Sequence, residues 1–176
     1  MSKIKWNLDL SHSEVTFKVK HMMITNVSGS FTDFVVNAET DGEDFTKSEI
    51  NFSTKAASVN TGSEQRDGHL RTAEFFDAEK FPEIKFKATK YEKVSGDDYI
   101  LYGDLTIKDT TKNILLNVEF GGIQKDPYGN IKAGFTVNGK INRKDFGLTW
   151  NAALETGGVM VSEEVKINCE IQLVKA

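Results

Sequence analysis

Residues 165–173 read VKINCEIQL, in which apolar and polar side chains alternate at every step. A period of two residues is typical of a β-strand with one buried face and one face in water. The same alternation recurs earlier in the chain, at 15–21, 50–55, 84–89, 101–108, 114–120 and 131–141. These segments together predict an all-β protein built from half-buried strands.

Short connections separate the strands, and they carry turn sequences such as DGED and SGDD. We therefore predict about eight antiparallel strands in a single domain over residues 1–176. An open sheet of this size would expose its edges and an apolar face. A closed barrel or a sandwich is therefore favoured, and of these two we expect the barrel. Phe31 and Phe34 stand three apart, which predicts a bulge or a change of face near Asp33.

The segment 66–86, RDGHLRTAEFFDAEKFPEIKF, interrupts the alternation. Thr61 and Glu64 have the spacing of a capping box, and Gly68 limits the length of the helix that they begin. Pro82 restricts the residue before it to an extended conformation and predicts a new strand directly afterwards. We expect a short helix and then an aromatic loop across one end of the barrel. The side chains placed there are Arg66, His69, Phe75, Phe76 and Phe81.

The net charge of −4 comes from 22 basic and 26 acidic residues, without a basic cluster. Phosphate groups bind clustered positive charge, so we expect no nucleic-acid partner and no charge-driven binding to acidic membranes. No stretch approaches the ~20 apolar residues that span a bilayer, which predicts no stable membrane insertion. The start MSKIKWNLDL has no apolar signal region, so we expect a soluble, cytoplasmic protein, or a periplasmic one if a signal peptide was removed.

Few residues are suited to catalysis or metal binding. The histidines His12, His21 and His69 lack the spacing of a zinc-binding helix. The single Cys169 allows neither an internal disulfide nor a thiolate cluster, and it falls in phase with buried neighbours. His12 leaves two alternatives open, hydrogen bonding within a turn or metal ligation. We predict no catalytic residue, no metal and no cofactor other than a bound ligand.

Several side chains have both a structural and a ligand-binding interpretation. His21 faces inward, where it could be a hydrogen-bonded core residue or a contact to a ligand head group. Arg66 could form a salt bridge on the helix surface or face a cavity. The phenylalanines of the loop could plug the core or hold a ligand. Eight-stranded barrels can enclose one small ligand. Small inward residues could fill the taper of the barrel beside large ones or leave volume for a ligand, and these are Ala88, Gly103, Ala133 and Gly139.

A set of motifs resembles the YceI-like family over roughly residues 5–174. The motifs are DLSHSEVTFKVKH at 9–21, GSF at 29–31, RDGHL at 66–70, FFD at 75–77, FPEIKF at 81–86, GDLTI at 103–107 and RKDFG at 143–147. The resemblance implies a lipocalin-like, eight-stranded antiparallel β-barrel that binds a polyisoprenoid or similar amphiphile and is usually a homodimer. The chain departs from the family at Asp109 and Asn113, where Gly and Pro are usual, and this concerns only the local turn.

The residues and the resemblance together predict a protein that sequesters or carries an amphiphilic lipid, such as a polyisoprenoid or an isoprenoid quinone, in an apolar barrel. Two alternatives stay open: a scaffold or stress protein with a solid core, and an enzyme acting on such a lipid. The expected ligand contacts are Phe17, His21, Phe31, Phe34, Phe52, Arg66, His69, Phe75, Phe76, Phe86, Leu105 and Phe135. The rings would contact the tail, while Arg66 and His69 would contact the head or brace the loop.

Overall fold

Antiparallel strands make up most of the chain. The computed structural model describes residues 3–152, 154 and 160–176, and within them it contains eleven strands and one α-helix. The elements are β1 (Lys3–Leu8), β2 (Glu14–His21), β3 (Thr25–Phe31), β4 (Phe34–Asp41), β5 (Asp44–Lys55), β6 (Val59–Asn60), α1 (Glu64–Leu70), β7 (Glu83–Ser95), β8 (Asp98–Ile107), β9 (Thr110–Lys125), β10 (Ile131–Asn142) and β11 (Glu164–Lys175). Three short 3-10 turns span Leu10–His12, Ala56–Ser58 and Arg143–Phe146.

Eight of these strands close into a barrel in the order β1, β4, β5, β7, β8, β9, β10 and β11. The ring closes between β1 and β11, where Leu8 stands opposite Leu173. The same edge of β11 continues to β2, with Val15 opposite Cys169, so β1 and β2 share one neighbour. Strands β2, β3 and β6 extend the sheet beyond the ring. The predicted eight-stranded antiparallel barrel is confirmed, and it carries a three-stranded extension.

The region near Asp33, where a bulge or a change of face was expected, is a boundary between two strands. Phe31 ends β3 and Phe34 begins β4, so the spacing of three spans a connection. The Thr32 N–H leaves the sheet and donates to the Ser58 carbonyl at 3.3 Å. Phe31 and Phe34 belong to different strands, so both rings can face inward although they stand three residues apart. The spacing alone does not distinguish such a strand boundary from a bulge.

The short helix forms where the sequence predicted it, but its cap differs. Ser63 occupies the N-cap, and its hydroxyl accepts the Arg66 N–H at 3.3 Å. Thr61 instead donates its hydroxyl to the Asp67 carboxylate at 2.6 Å. Ser63, directly before Glu64, accepts a backbone N–H of the first helical turn. The capping-box spacing of Thr61 and Glu64 therefore predicted a helix start two residues too early.

Aromatic rings close one end of the barrel. These rings, which we call the aromatic plug, are Trp6, Phe45, Tyr91, Tyr99, Phe120 and Phe135. The Phe45 ring centroid lies 5.1 Å from that of Trp6 and 5.0 Å from that of Phe135. Tyr91 stacks on Tyr99 at 4.8 Å. Such pairs each contribute about 0.5–1.5 kcal/mol beyond the burial of their area, so the aromatic plug stabilises this end of the barrel.

Candidate functional site

The barrel encloses a cavity of about 740 Å³ between the aromatic plug and helix α1. Its walls are inward side chains of the alternating strands, for example Leu105 in β8, Leu116 in β9 and Ile167 in β11. Pockets for small-molecule ligands typically measure ~300–1,000 Å³. A hollow interior of this size is not what a scaffold protein with a solid core would have.

The small inward residues do not supply this volume, and they fit the alternative in which small residues fill the taper of the barrel beside large ones. A Cβ on Gly103 would lie 2.2 Å from Cζ of Phe86, and one on Gly139 would lie 2.4 Å from Cδ2 of Leu116. Each glycine therefore makes room for the close approach of a large neighbour. The cavity wall contains none of the four small residues Ala88, Gly103, Ala133 and Gly139.

The end opposite the plug, which we call the mouth, is covered by α1 and by the loop that follows it. The mouth is lined by Lys20, His21, Thr61, Arg66, His69, Phe75, Phe76, Arg143, Trp150 and Met160. The His69 ring packs edge-on against Phe75 at 5.2 Å and against Trp150 at 5.0 Å. The Phe76 ring lies 5.7 Å from that of Phe31. The predicted helix and aromatic loop therefore do cover one end of the barrel.

Arg66 is fixed at the mouth by neutral groups. Its Nε donates to Thr61 Oγ1 at 2.7 Å, and its Nη2 donates to the Thr61 carbonyl at 2.8 Å. Asp67 is buried and accepts the Thr61 N–H at 2.9 Å, which ties α1 to the end of β6. Because Thr61 has no charge, the positive charge of Arg66 is positioned by these bonds without being neutralised by them.

Arg143 is the cavity-lining residue that sequence reasoning most clearly missed. It is 3% exposed and donates to the carbonyls of Ser162 at 2.8 Å, Leu148 at 2.7 Å, Trp150 at 2.8 Å and Val161 at 3.2 Å. Burial lowers the pKa of its guanidinium. It therefore holds the loop around Trp150 against the start of β11 while placing a cation in the cavity wall.

The charged groups in the cavity wall all have one sign. Among the described residues the wall contains Lys20, Arg66 and Arg143, together with His21 and His69, and no Asp or Glu. The chain as a whole has a net charge of −4, so the interior differs in sign from the protein around it. Arg143 is buried, whereas Lys20 and Arg66 are exposed, and a cleft lined by charge of one sign raises the local concentration of counter-ions.

The structure brings the predicted contact residues together with one exception. Every member of the predicted set except Phe34 lines the cavity. Phe34 is 5% exposed and does not line the cavity, although its ring centroid lies 6.1 Å from that of Phe52. Sequence reasoning also missed Trp150 as a wall residue. The signal that could have indicated it is an aromatic residue shortly after the RKDFG turn. Whether each ring lines the cavity depends on how segments distant in sequence pack around it, and a local sequence pattern does not contain that information.

Outside the cavity, Asp9 and His12 form a hydrogen-bonded cluster. The Asp9 carboxylate accepts from Lys132 Nζ at 2.7 Å and from Gln172 Nε2 at 3.1 Å, and it lies 3.0 Å from His12 Nδ1. The Lys132 ammonium holds the pKa of this carboxyl well below its ordinary value. The described part of the chain contains no group of three or more metal-type side chains, and the cluster fits the hydrogen-bonding interpretation of His12.

Cys169 lies in the cavity wall between Ile167 and Ile171. Burial raises the pKa of its thiol to about 12, so the thiol stays protonated at neutral pH and is a weak nucleophile. In the residues that the structure describes, no helix has the length and apolar content needed to cross a bilayer.

Comparison with known proteins identifies the family. The family model of the YceI-like domain matches residues 6–173. The chain belongs to the YceI-like family. A UPF0312 protein of Staphylococcus aureus is 38% identical over 168 residues, which make up 95% of each chain. The resemblance that the motifs suggested is therefore confirmed over nearly the whole sequence.

Solved structures show the same barrel. The YCEI protein of Campylobacter jejuni is 36% identical and superposes with a TM-score of 0.77 over 96% of each chain. BcnA of Burkholderia cenocepacia is 21% identical, with a TM-score of 0.81 over 94% of this YceI-like chain and 98% of its own. A polyisoprenoid-binding domain of Saccharophagus degradans is 16% identical, with a TM-score of 0.66 over 97% of this chain and 98% of its own. At these identities the last two are similar in fold alone.

Proposed function

We propose that this YceI-like protein binds an amphiphile, with its apolar chain in the barrel and an anionic head group at the mouth. The observation that carries the proposal is the wall of the cavity, which is aliphatic and aromatic except for cationic and neutral polar groups near α1. An amphiphile of this polarity satisfies both parts of the wall at once.

The apolar part of the cavity supplies the binding energy. Each buried methylene group contributes about 0.8 kcal/mol, so ten of them contribute about 8 kcal/mol before the costs of association. The rings that line the walls, such as Phe52, Phe86 and Phe135, add contact area for a flexible chain. The Saccharophagus domain of similar fold is named for polyisoprenoid binding, which supports a prenyl chain as the tail.

The cations select the head group. A phosphate or carboxylate at the mouth would lie near Arg66 and Arg143, whose present partners are neutral oxygens. A neutral quinone ring would leave these charges without a counter-ion. We therefore favour a prenyl phosphate or another anionic prenyl lipid over a quinone, and we propose that the protein sequesters or carries this lipid.

The cavity contents argue against the enzyme alternative. General acid–base catalysis needs two positioned proton-transfer groups at the reacting atoms. Of the described wall residues, His69 is hydrogen-bonded to Glu74 in the loop after α1, and Thr61 is hydrogen-bonded to Asp67. Neither carboxylate lines the cavity. Binding without chemical conversion is the function that this arrangement supports best.

Extraction of the purified protein with organic solvent, followed by mass spectrometry, tests the proposal. We expect a stoichiometric anionic prenyl lipid, or uptake of one when farnesyl phosphate is offered to the extracted protein. An extract without lipid, combined with no binding of farnesyl phosphate or of longer prenyl phosphates, would contradict the proposal.

The outer face of β9, β10, β11 and β2 supports a second copy of the chain as partner. Its side chains form three rows across the strands: an acidic row of Glu119, Thr136, Glu170 and Glu14, an amide row of Asn117, Asn138, Asn168 and Thr16, and a basic row of Lys140, Lys166 and Lys18. Like charges directly opposite one another, as in Lys166 and Lys18, destabilise an isolated sheet.

A two-fold axis along the amide row would place the acidic row of each copy over the basic row of the other. Such a face is self-complementary, as a two-fold homodimer requires. The amide side chains on the axis can both donate and accept hydrogen bonds, so they can pair with their own copies. We propose this face as the homodimer interface.

A further inference from the structure

The turn between β2 and β3 exposes three consecutive apolar side chains. Met22 is 40% exposed, Met23 51% and Ile24 76%. The other large exposed apolar residues among the described ones stand singly on the surface: Leu10, Val35, Val94, Leu115 and Tyr128. Scattered apolar residues are normal on a protein surface, whereas a contiguous exposed group marks an interaction site. We call residues 22–24 the apolar tip.

The backbone of the apolar tip is unfavourable for the residues it contains. Met22 has a φ of 54° and Met23 a φ of 63°, and the Ile24 N–H donates to the His21 carbonyl at 3.2 Å. His21 stands opposite Thr25, so three residues connect the strands. The two successive positive φ values and the His21–Ile24 hydrogen bond are similar to those of a type I′ turn, for which Asn-Gly is the preferred sequence. Side chains with a Cβ are disfavoured there. The turn therefore carries both strain and apolar exposure, and neither stabilises the barrel.

The apolar tip stands at the rim of the cavity. The Met22 N–H donates to the Met160 carbonyl at 2.7 Å, and His21 pairs with Val161. His21, Met160 and Val161 all line the cavity. An object that contacts the apolar tip is therefore next to the opening through which a ligand would pass.

We propose that the apolar tip docks this protein on a lipid bilayer by inserting its three side chains among the acyl chains, so that the amphiphile passes between bilayer and cavity. The inference rests on the proposed lipid binding. A protein partner needs a matched surface of about 800 Å² per side, far more than three partly exposed side chains offer, whereas a bilayer needs no matched surface. Burial of apolar area drives the insertion, so it does not require acidic lipids and is compatible with a net charge of −4.

A variant that improves the turn but removes its apolar side chains tests this. Met22→Asn combined with Met23→Gly installs the preferred type I′ sequence, so we expect a folded protein with a higher denaturant midpoint. Wild type should sediment with phosphatidylcholine vesicles, and the variant should lose at least five-fold in vesicle binding. Transfer of geranylgeranyl phosphate from loaded vesicles should slow by at least five-fold, while uptake of dispersed farnesyl phosphate stays unchanged. Val94→Asn, which removes an exposed apolar side chain elsewhere, is the matched control and should behave as wild type.

The results separate the two proposals. If wild type binds no dispersed farnesyl phosphate, the proposed function fails, whatever the vesicles show. If wild type binds dispersed farnesyl phosphate but does not sediment with vesicles, or if the double variant sediments and transfers lipid as wild type does, the docking inference is wrong. Loss of a dimer in the double variant by light scattering, with vesicle binding intact, would instead assign the apolar tip to a second copy and would overturn the inference.

Discussion

Two neighbouring phenylalanines provide a test of whether the barrel interior is a binding cavity. Phe34 and Phe52 have ring centroids 6.1 Å apart, but Phe52 lines the cavity, whereas Phe34 is buried and does not line it. Phe34→Ala removes a ring from a packed site and leaves a new void, which typically costs about 3–5 kcal/mol. Phe52→Ala enlarges a space that already exists, so fewer packing contacts are lost and we expect a cost of about 1–2 kcal/mol in the lipid-free protein.

Ligand should change this difference. A ligand that binds only the folded state, at a concentration of 100 times its Kd, stabilises that state by about 2.7 kcal/mol. If the loss of the Phe52 ring weakens binding ten-fold, the same concentration stabilises the variant by only about 1.4 kcal/mol. Phe52→Ala should therefore lose about 1.3 kcal/mol more with ligand than without it, whereas Phe34→Ala should lose the same amount in both conditions.

The assay is denaturant unfolding of wild type and both variants, with lipid extracted and with farnesyl phosphate restored. Equal losses of about 4 kcal/mol for both variants under both conditions would mean that Phe52 fills a closed core. That result would refute the cavity argument and favour the scaffold alternative.

Further outcomes follow from the charged groups. The folded-state pKa of Asp9 is depressed, so its contribution to stability is present above an unfolded pKa of about 3.9 and is lost as the pH falls below it. Asp9→Asn should therefore lower the free energy of unfolding at neutral pH by about 1.5–3 kcal/mol. In urea titrations, the stability of this variant should also depend less on acid pH than that of wild type. Arg66→Gln should raise the Kd of farnesyl phosphate at least five-fold in calorimetry and leave that of farnesol unchanged; a loss of stability with both affinities intact would make Arg66 only a brace for the loop. Lys166→Glu and Glu170→Lys should each weaken the homodimer in analytical ultracentrifugation. A mixture of the two variants should form a dimer again, because opposite charges then face each other. If either variant were simply misfolded, the mixture would not form a dimer. Zinc or a chelator should leave the thermal midpoint unchanged, and a stoichiometric shift of several degrees would speak for a metal site.

The two-residue period predicted most of the barrel strands because one face of each carries apolar side chains toward the interior, but β1 and β4, which also belong to the ring, were not among the predicted alternating segments. In β11, for example, Ile167 and Ile171 face the cavity while Asn168 and Glu170 face outward. The helix and aromatic loop were predictable because Pro82 and Gly68 act on their immediate neighbours. These features depend on local chemistry, which the sequence displays directly.

The missed features depend on distances that only the closed fold defines. Arg143 bonds to the carbonyls of Ser162 and Val161, which are 18 or more positions away, and nothing near Arg143 in sequence indicates this. The uniform sign of the cavity charges likewise arises because β2, α1 and the turn after β10 meet at one end. A formal net charge of −4 gives no sign of it.

The central claim is that the cavity binds an apolar chain and its mouth binds an anion. Isothermal titration of the lipid-extracted protein with farnesyl phosphate and with farnesol, at two salt concentrations, measures both parts. We expect one site per chain for both ligands, a Kd at least ten-fold lower for the phosphate, equivalent to about 1.4 kcal/mol, and a salt dependence for the phosphate alone. Binding of neither ligand would contradict the claim for the cavity, and equal, salt-independent affinities would contradict the claim for the mouth.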